Sequence, residues 1–176
     1  MNRSNLPTVK GIKLIDYVDE SQLEDVMRLV GQDLSEPYSS LSCASLQSPP
    51  KTIRSSKPIG CVACEIDIGE DDNNADQLTS KTLNDAIIQK KVLTGYIGML
   101  AVEIPYRRSG IGSALVHHVI HRMKEMGCTS IRLETEVSNK SAMRLYEDRF
   151  GFMREELLVK YYLNWGDAYR LRLWLD

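Results

Sequence analysis

Apolar positions along this chain recur with two different periods, and each change of period marks an element. Residues 96–102, Tyr-Ile-Gly-Met-Leu-Ala-Val, are apolar at successive positions, the pattern of a strand covered on both faces. Pro105 stops it. Ile111, Leu115, Val119 and Met123 then recur at helical spacing and predict an amphipathic helix, with Gly127 as its C-terminal stop. Over 130–137 the period falls to two: Ile131, Leu133, Thr135 and Val137 share one side, and Arg132, Glu134 and Glu136 the other.

The flanking segments carry weaker patterns. Residues 12–18 alternate enough for a first strand. Ser21-x-x-Glu24 is a capping box opening a helix with Leu23, Val26, Met27, Val30 and Leu34 on one face. Pro37 turns the chain out of that helix by restricting Glu36. Residues 40–58 are serine-rich, contain Pro49-Pro50 and show no period, so they read as a loop. A strand follows over 59–66. Gly69-Glu70-Asp71-Asp72-Asn73-Asn74 begins an acidic insertion within 67–95 that reads as a solvated loop or, alternatively, as a docking surface for a basic partner, with a short helix over 79–90. Near the C-terminus, Ser138 or Asn139 caps a helix over 140–148. Strands over 157–163 and 168–175 close the chain, joined by Asn164-Trp165-Gly166-Asp167. The sum is one mixed α/β domain over 1–176, a mostly antiparallel sheet flanked by helices, with no internal repeat.

Composition narrows the function. A chain of 176 residues, 43% apolar, has enough core to fold without disulfides, and its formal charge of −2 argues against general nucleic-acid binding. No apolar run is long enough to span a membrane, and residues 1–10 lack a signal-peptide core, so the expectation is an intracellular, cytoplasmic protein acting away from membranes. The four cysteines are expected as reduced thiols. Cys61 and Cys64 point to opposite faces of a strand and no second pair completes a zinc site; His117 and His121 share a helix face with no third ligand evident. No metal is expected.

The chemistry concentrates between the central strand and its helix. Arg107-Arg108-Ser109-Gly110-Ile111-Gly112 is a glycine-rich turn at a helix N-terminus, where unpaired N–H groups and the helix dipole favour phosphate. It is neither the dinucleotide fingerprint nor a P-loop. These residues resemble the acetyl-CoA pyrophosphate loop of the GNAT acetyltransferase family, Gln/Arg-x-x-Gly-x-Gly/Ala. Asn139-x-x-Ala142-x-x-x-Tyr146 followed by Gly151-Phe152 looks like that family's second motif. Three further blocks are similar to catalytic subunits of N-terminal acetyltransferase C (NatC) complexes: Asp33-Leu34-Ser35-Glu36-Pro37-Tyr38-Ser39, residues 95–112, and Leu133-Glu134-Thr135-Glu136 with the tail Lys160-Tyr161-Tyr162-Leu163-Asn164.

The resemblance implies a GNAT fold and acetyl transfer from acetyl-CoA to the N-terminal α-amine of nascent proteins beginning with Met and a bulky apolar residue. Alternatives are a GNAT branch acting on a small amine or a lysine, and a non-catalytic subunit that only binds acetyl-CoA. It implies Glu134 as general base, acting through water, and Tyr146 as the group that protonates or hydrogen-bonds the departing thiolate. Read without the family, Glu134 pairs with Arg132 or Arg170 on a polar sheet face. Backbone groups of Leu100 and Val102, residues 107–112 and Asn139 are implied to hold the coenzyme, and Glu36, Tyr38, Tyr161 and Tyr162 to line the peptide groove. Implied partners are nascent chains, NatC auxiliary subunits and, through them, the ribosome. Two departures stand out. The serine-rich 40–58 segment replaces the family's aromatic helix and second strand, and Tyr146-Glu147-Asp148-Arg149-Phe150-Gly151 is one residue longer than the family pattern, which is expected to alter only the helix exit.

Overall fold

A computed structural model describes residues 12–17, 19–31, 58–69 and 92–175. Within them run a 3-10 turn at Glu20–Gln22, α1 (Leu23–Gly31), β1 (Gly60–Gly69), β2 (Val92–Val102), a 3-10 turn at Ile104–Tyr106 and α2 (Ile111–Glu125). The chain continues through β3 (Ser130–Glu136), α3 (Lys140–Met143), a π turn (Arg144–Arg149), β4 (Met153–Leu158) and β5 (Ala168–Trp174). The five strands form one sheet in the order β1-β2-β3-β5-β4. Only β2 and β3 run parallel, because α2 carries the chain back across the sheet between them; the other pairs are antiparallel.

The predicted apolar stripe of α2 is the buried one: Ile111, Leu115, Val119 and Met123 are all covered. Val119 and Met123, with Val116, pack in one cluster with Ile97, Ile131, Leu133 and Leu171 of the sheet. Each fully buried aliphatic side chain there contributes roughly 2 kcal/mol. Gly95 lets the helix sit this close, since a Cβ at that position would lie 2.2 Å from Met123 Sδ. Gly127 ends the helix with φ at +85°, a left-handed conformation that glycine adopts without strain.

One interruption decides the shape of the molecule. β2 and β3 pair only at Thr94–Ser130, Gly95–Ile131 and Tyr96–Arg132, and beyond that seam they separate. β2 is bonded on its other side to β1, and β3 to β5, so each strand keeps one partner while the gap opens between them. The β1–β2 register also slips between Ala63 and Cys64, whose partners are Met99 and Ile97; Gly98 is the extra residue of a β-bulge at the edge of the gap.

Several expectations change. Residues 12–17 form no strand: they have no sheet partner among the described residues, and alternation alone does not satisfy a strand's backbone groups. Asp16 there lies 3.6 Å from His118 of α2. The predicted 59–66 strand runs on to Gly69, which puts Asp67 in the sheet rather than in a loop. The predicted 157–163 strand lies earlier, at Met153–Leu158, because the chain turns at Lys160, whose φ is +54°. The helix over 140–148 is α only to Met143 and π from Arg144 onward. A π turn accommodates one residue more than an α turn, so the longer segment alters the helix from before Tyr146 and not only at its exit. The serine-rich segment, the acidic run from Glu70 and the 79–90 helix lie outside the described residues.

Candidate active-site cleft

The glycine-rich turn joins the end of β2 to the start of α2. Glu103 N–H donates to the Ile59 carbonyl at 2.9 Å, and Arg107 Nε donates to the Val102 carbonyl at 2.9 Å, which folds the turn back on the strand it leaves. The Ser109 hydroxyl donates to the Tyr106 carbonyl. Gly110 caps α2 with φ at +91° and no side chain. The first α2 ladder bond runs from Ala114 N–H to the Gly110 carbonyl at 2.9 Å, leaving the N–H groups of Ile111, Gly112 and Ser113 ahead of the ladder.

Gly112 separates two reasons for a glycine. A Cβ there would meet Leu100 and Leu145 at 3.8 Å and Val102 at 3.9 Å, which is ordinary contact, so internal packing does not demand a bare Cα. The residue lines an open cleft instead, where a missing side chain lets a ligand approach the backbone. Bare backbone, free N–H groups and a helix N-terminus fit a diphosphate.

The gap between β2 and β3 opens into a cleft of about 1430 Å³. Leu100 and Val102 line it from β2, Glu134, Thr135 and Glu136 from β3, and Asn139, Ala142 and Tyr146 from the segment after β3. Arg107, Arg108, Gly110 and Gly112 border it at one end, and Tyr161 and Tyr162 at the other. A smaller polar pit of about 320 Å³ shares Tyr96, Glu134 and Tyr161 with the cleft and adds Glu65, Asp67, Arg132 and Arg170. Ser109 and Ile111 belong to the turn without lining the cleft through their side chains.

Glu134 stands where the two cavities meet. Its side chain is 8% exposed and its Oε1 accepts a hydrogen bond from Arg170 Nε at 3.0 Å. Its Oε2 is buried with no hydrogen-bond partner among the described residues. The pairing with Arg170 and the place in the cleft thus hold together, while Arg132 pairs with Asp67 at 2.6 Å. Arg170 also donates to Glu156 at 2.5 Å, and the hydrogen bond it donates to Glu134 keeps its guanidinium more firmly protonated than usual.

Tyr146 is 5% exposed and packs edge-on against Phe152, with ring centroids 5.5 Å apart. Burial pushes its phenol far above the ordinary range, so it is a neutral O–H donor at any working pH. Asn139 caps α3, its side-chain oxygen accepting from Ala142 N–H at 3.0 Å. Tyr161 and Tyr162 stack edge to face at 5.1 Å. Their loop is braced by Tyr162 N–H to the Gly166 carbonyl, Lys160 N–H to Asp167 Oδ1, and Val137 N–H to the Asp167 carbonyl.

The structure therefore brings Leu100, Val102, the turn, Glu134, Asn139, Tyr146, Tyr161 and Tyr162 to one cleft. Glu36 and Tyr38 lie outside the described residues. Arg144, Arg149 and Tyr96 also line it and carried no signal in the sequence. The parity of residues 130–137, which sets Arg132, Glu134 and Glu136 on one face, pointed to the charged wall, and Arg170 of β5 was one of two partners read for Glu134, but Asp67 of β1 as the partner of Arg132 was not foreseen. Cys64, half-buried, and Cys128, buried, are thiols whose pKa is raised by desolvation, as expected of inert packing residues. Among the described residues no cluster could hold a metal ion, and no helix is long and apolar enough to cross a membrane.

Known proteins resemble this chain in sequence and fold. Residues 32–152 match the acetyltransferase (GNAT) family. N-alpha-acetyltransferase 30 of Homo sapiens is 38% identical over 169 residues, 93% of this chain but only 41% of the human protein, so this chain spans about two-fifths of that relative's length. The Saccharomyces cerevisiae protein of the same name is 36% identical over 173 residues, 92% of this chain and 86% of its own. A crystal structure of the NatC complex bound to Gag peptide and CoA contains a chain 36% identical, matching with a TM-score of 0.69 over 93% of this chain and 97% of that one. A glycine turn capping α2, a parallel strand pair that parts, and this span of similarity converge on one result: the chain belongs to the GNAT family of acetyltransferases.

Proposed function

We propose that this protein transfers the acetyl group of acetyl-CoA to the N-terminal α-amine of polypeptides, as the catalytic subunit of a NatC-type complex. The observation that carries it is the parting of β2 and β3, which makes one continuous cleft from the glycine turn to Glu134. The turn residues 107–112 bind the diphosphate, with Arg107 Nε anchoring the turn to Val102. Leu100 and Val102 line the gap where β3 no longer pairs, Asn139 borders the same space, and the sequence likeness supports backbone groups of the first two as holding the pantetheine arm. Acetyl-CoA supplies an acyl group already activated as a thioester.

An α-amine has a pKa near 8 and is mostly protonated at neutral pH, so it needs a base before it can attack. Glu134 suits that role because Arg170 fixes one of its oxygens and the other is left without a partner among the described residues. Oε2 takes the proton, directly or through a water molecule. Tyr146 donates a hydrogen bond to the departing sulfur. It does not give up its proton, since a thiol with a pKa of about 8.5 leaves as a weaker base than the buried phenolate would be. No covalent intermediate with the enzyme is needed, and positioning supplies much of the acceleration.

The peptide enters from the end bearing Tyr161 and Tyr162, and the sequence likeness of Glu36 and Tyr38 supports a part for them in holding it. The sequence likeness supports substrates beginning with Met and a bulky apolar residue, auxiliary subunits as partners, placement at the ribosome through them, and a cytoplasmic location. The test is an acetylation assay of the purified protein, with and without co-purifying partners, on a Met-Leu peptide and on spermidine. Acetylation of the peptide's α-amine in preference to spermidine is expected. Transfer to spermidine alone, or coenzyme binding without any transfer, would overturn the assignment.

A further inference from the structure

Arginines in the described residues divide by what they touch. Arg28, Arg122, Arg132, Arg154, Arg170 and Arg172 each form an ion pair with a carboxylate. Arg108, Arg144 and Arg149 are exposed, have no carboxylate partner among the described residues, and all line the cleft. The acids of the cleft wall sit elsewhere, at Glu134 and Glu136 of β3. Glu147, beside the arginines in sequence, is held by a bidentate contact from Arg154 at 2.6 and 3.0 Å and is thereby neutralised.

The π turn explains how Arg144 and Arg149 come to face the same space. They are its first and last residues. In an α-helix of 3.6 residues per turn, side chains five apart diverge by roughly 140°. A π turn closes its hydrogen bonds between residues five apart, so these two positions stack on one side. Three uncompensated guanidinium groups around one end of a cleft specify an anion with more charge than the diphosphate at the turn absorbs.

We propose that Arg144 and Arg149, aligned by the π turn and joined by Arg108, bind the phosphomonoester on the ribose of coenzyme A, a group separate from the diphosphate held by the glycine turn. This rests on the acetyl-CoA assignment above and extends it to a part of the molecule remote from the reacting thioester. The turn then sets selectivity for the phosphorylated coenzyme.

Calorimetry with coenzyme A and with 3′-dephospho-coenzyme A tests it on the intact protein. The unmodified protein is expected to bind coenzyme A roughly tenfold more tightly than the dephospho form. Arg144→Gln/Arg149→Gln is expected to bring that ratio close to one by weakening coenzyme A while the dephospho form binds as before. Arg122→Gln, on the opposite, solvent-facing side of α2 and paired with Glu125, keeps the full ratio. Equal affinity of the unmodified protein for both compounds would overturn the proposal while leaving the acetyl-CoA assignment intact, as would a ratio that survives the double substitution. Binding of neither compound would overturn the assignment on which it rests.

Discussion

The two ends of the cleft handle charge in opposite ways. At the coenzyme end the donors are backbone N–H groups ahead of the α2 ladder and the guanidinium groups of Arg108, Arg144 and Arg149, which form no ion pair among the described residues. At the amine end nearly every charge is answered: Glu134 by Arg170, Arg170 again by Glu156, and Asp67 by Arg132, whose guanidinium also lies 5.9 Å from the centre of the Tyr96 ring. Under the proposed function, the first end holds a ligand that brings its own negative charge, while the second keeps one carboxylate oriented as a proton moves onto it, and a charge already braced is the one that keeps its geometry. That reading concentrates affinity at one end and rate at the other.

The largest test of that division is Glu134→Gln. Turnover is expected to fall by about a hundredfold or more, the usual contribution of a general base, with coenzyme affinity altered less than about twofold; steady-state kinetics beside calorimetry measures both. Loss of coenzyme binding in this variant would merge the two ends. At the other end, Gly110→Ala forces a side chain onto a backbone at φ +91°, a strain of about 1–2 kcal/mol. Its coenzyme Kd is expected to rise roughly tenfold, as read by titration.

Salt gives a smaller contrast. Raising ionic strength toward about 0.5 M shortens the Debye length to a few ångströms, and the coenzyme Kd is expected to weaken several-fold through its exposed arginines. Turnover at saturating coenzyme is expected to move less, because the Glu134 carboxylate is largely shielded from solvent. The smallest effect concerns Tyr146. Its phenol titrates higher in the folded than in the unfolded chain, so its contribution to stability is complete below the ordinary value of 10.0 and is lost as pH rises beyond it. Denaturant midpoints measured between pH 9 and 11 are expected to fall more steeply for the unmodified protein than for Tyr146→Phe.

What the sequence revealed follows the same divide. The turn was legible because backbone chemistry leaves a local signature: glycines, a stop to one period and the start of another. The stripe of α2 and the parity of β3 were legible for the same reason. The brace on Glu134 was legible only as a choice between Arg132 and Arg170, since the choice depends on register with a strand 36 residues away. Residues 157–163 alternate like a strand, but a left-handed Lys160 ends the extended run, and the tyrosines reach the cleft from a loop. The π turn escaped because a single wide turn is too short to change the hydrophobic period, yet it decides where Arg144 and Arg149 point. Residues 12–17 alternate without finding a neighbour, which no local pattern reports.

The three-residue seam between β2 and β3 leaves the sheet as two leaves, one of two strands and one of three, stitched together at a single edge. Anything lying along the gap and bonding to both leaves would act as a temporary sixth strand. On that view, a ligand seated there completes the architecture of the protein that binds it, and its departure returns the sheet to its unlaced form.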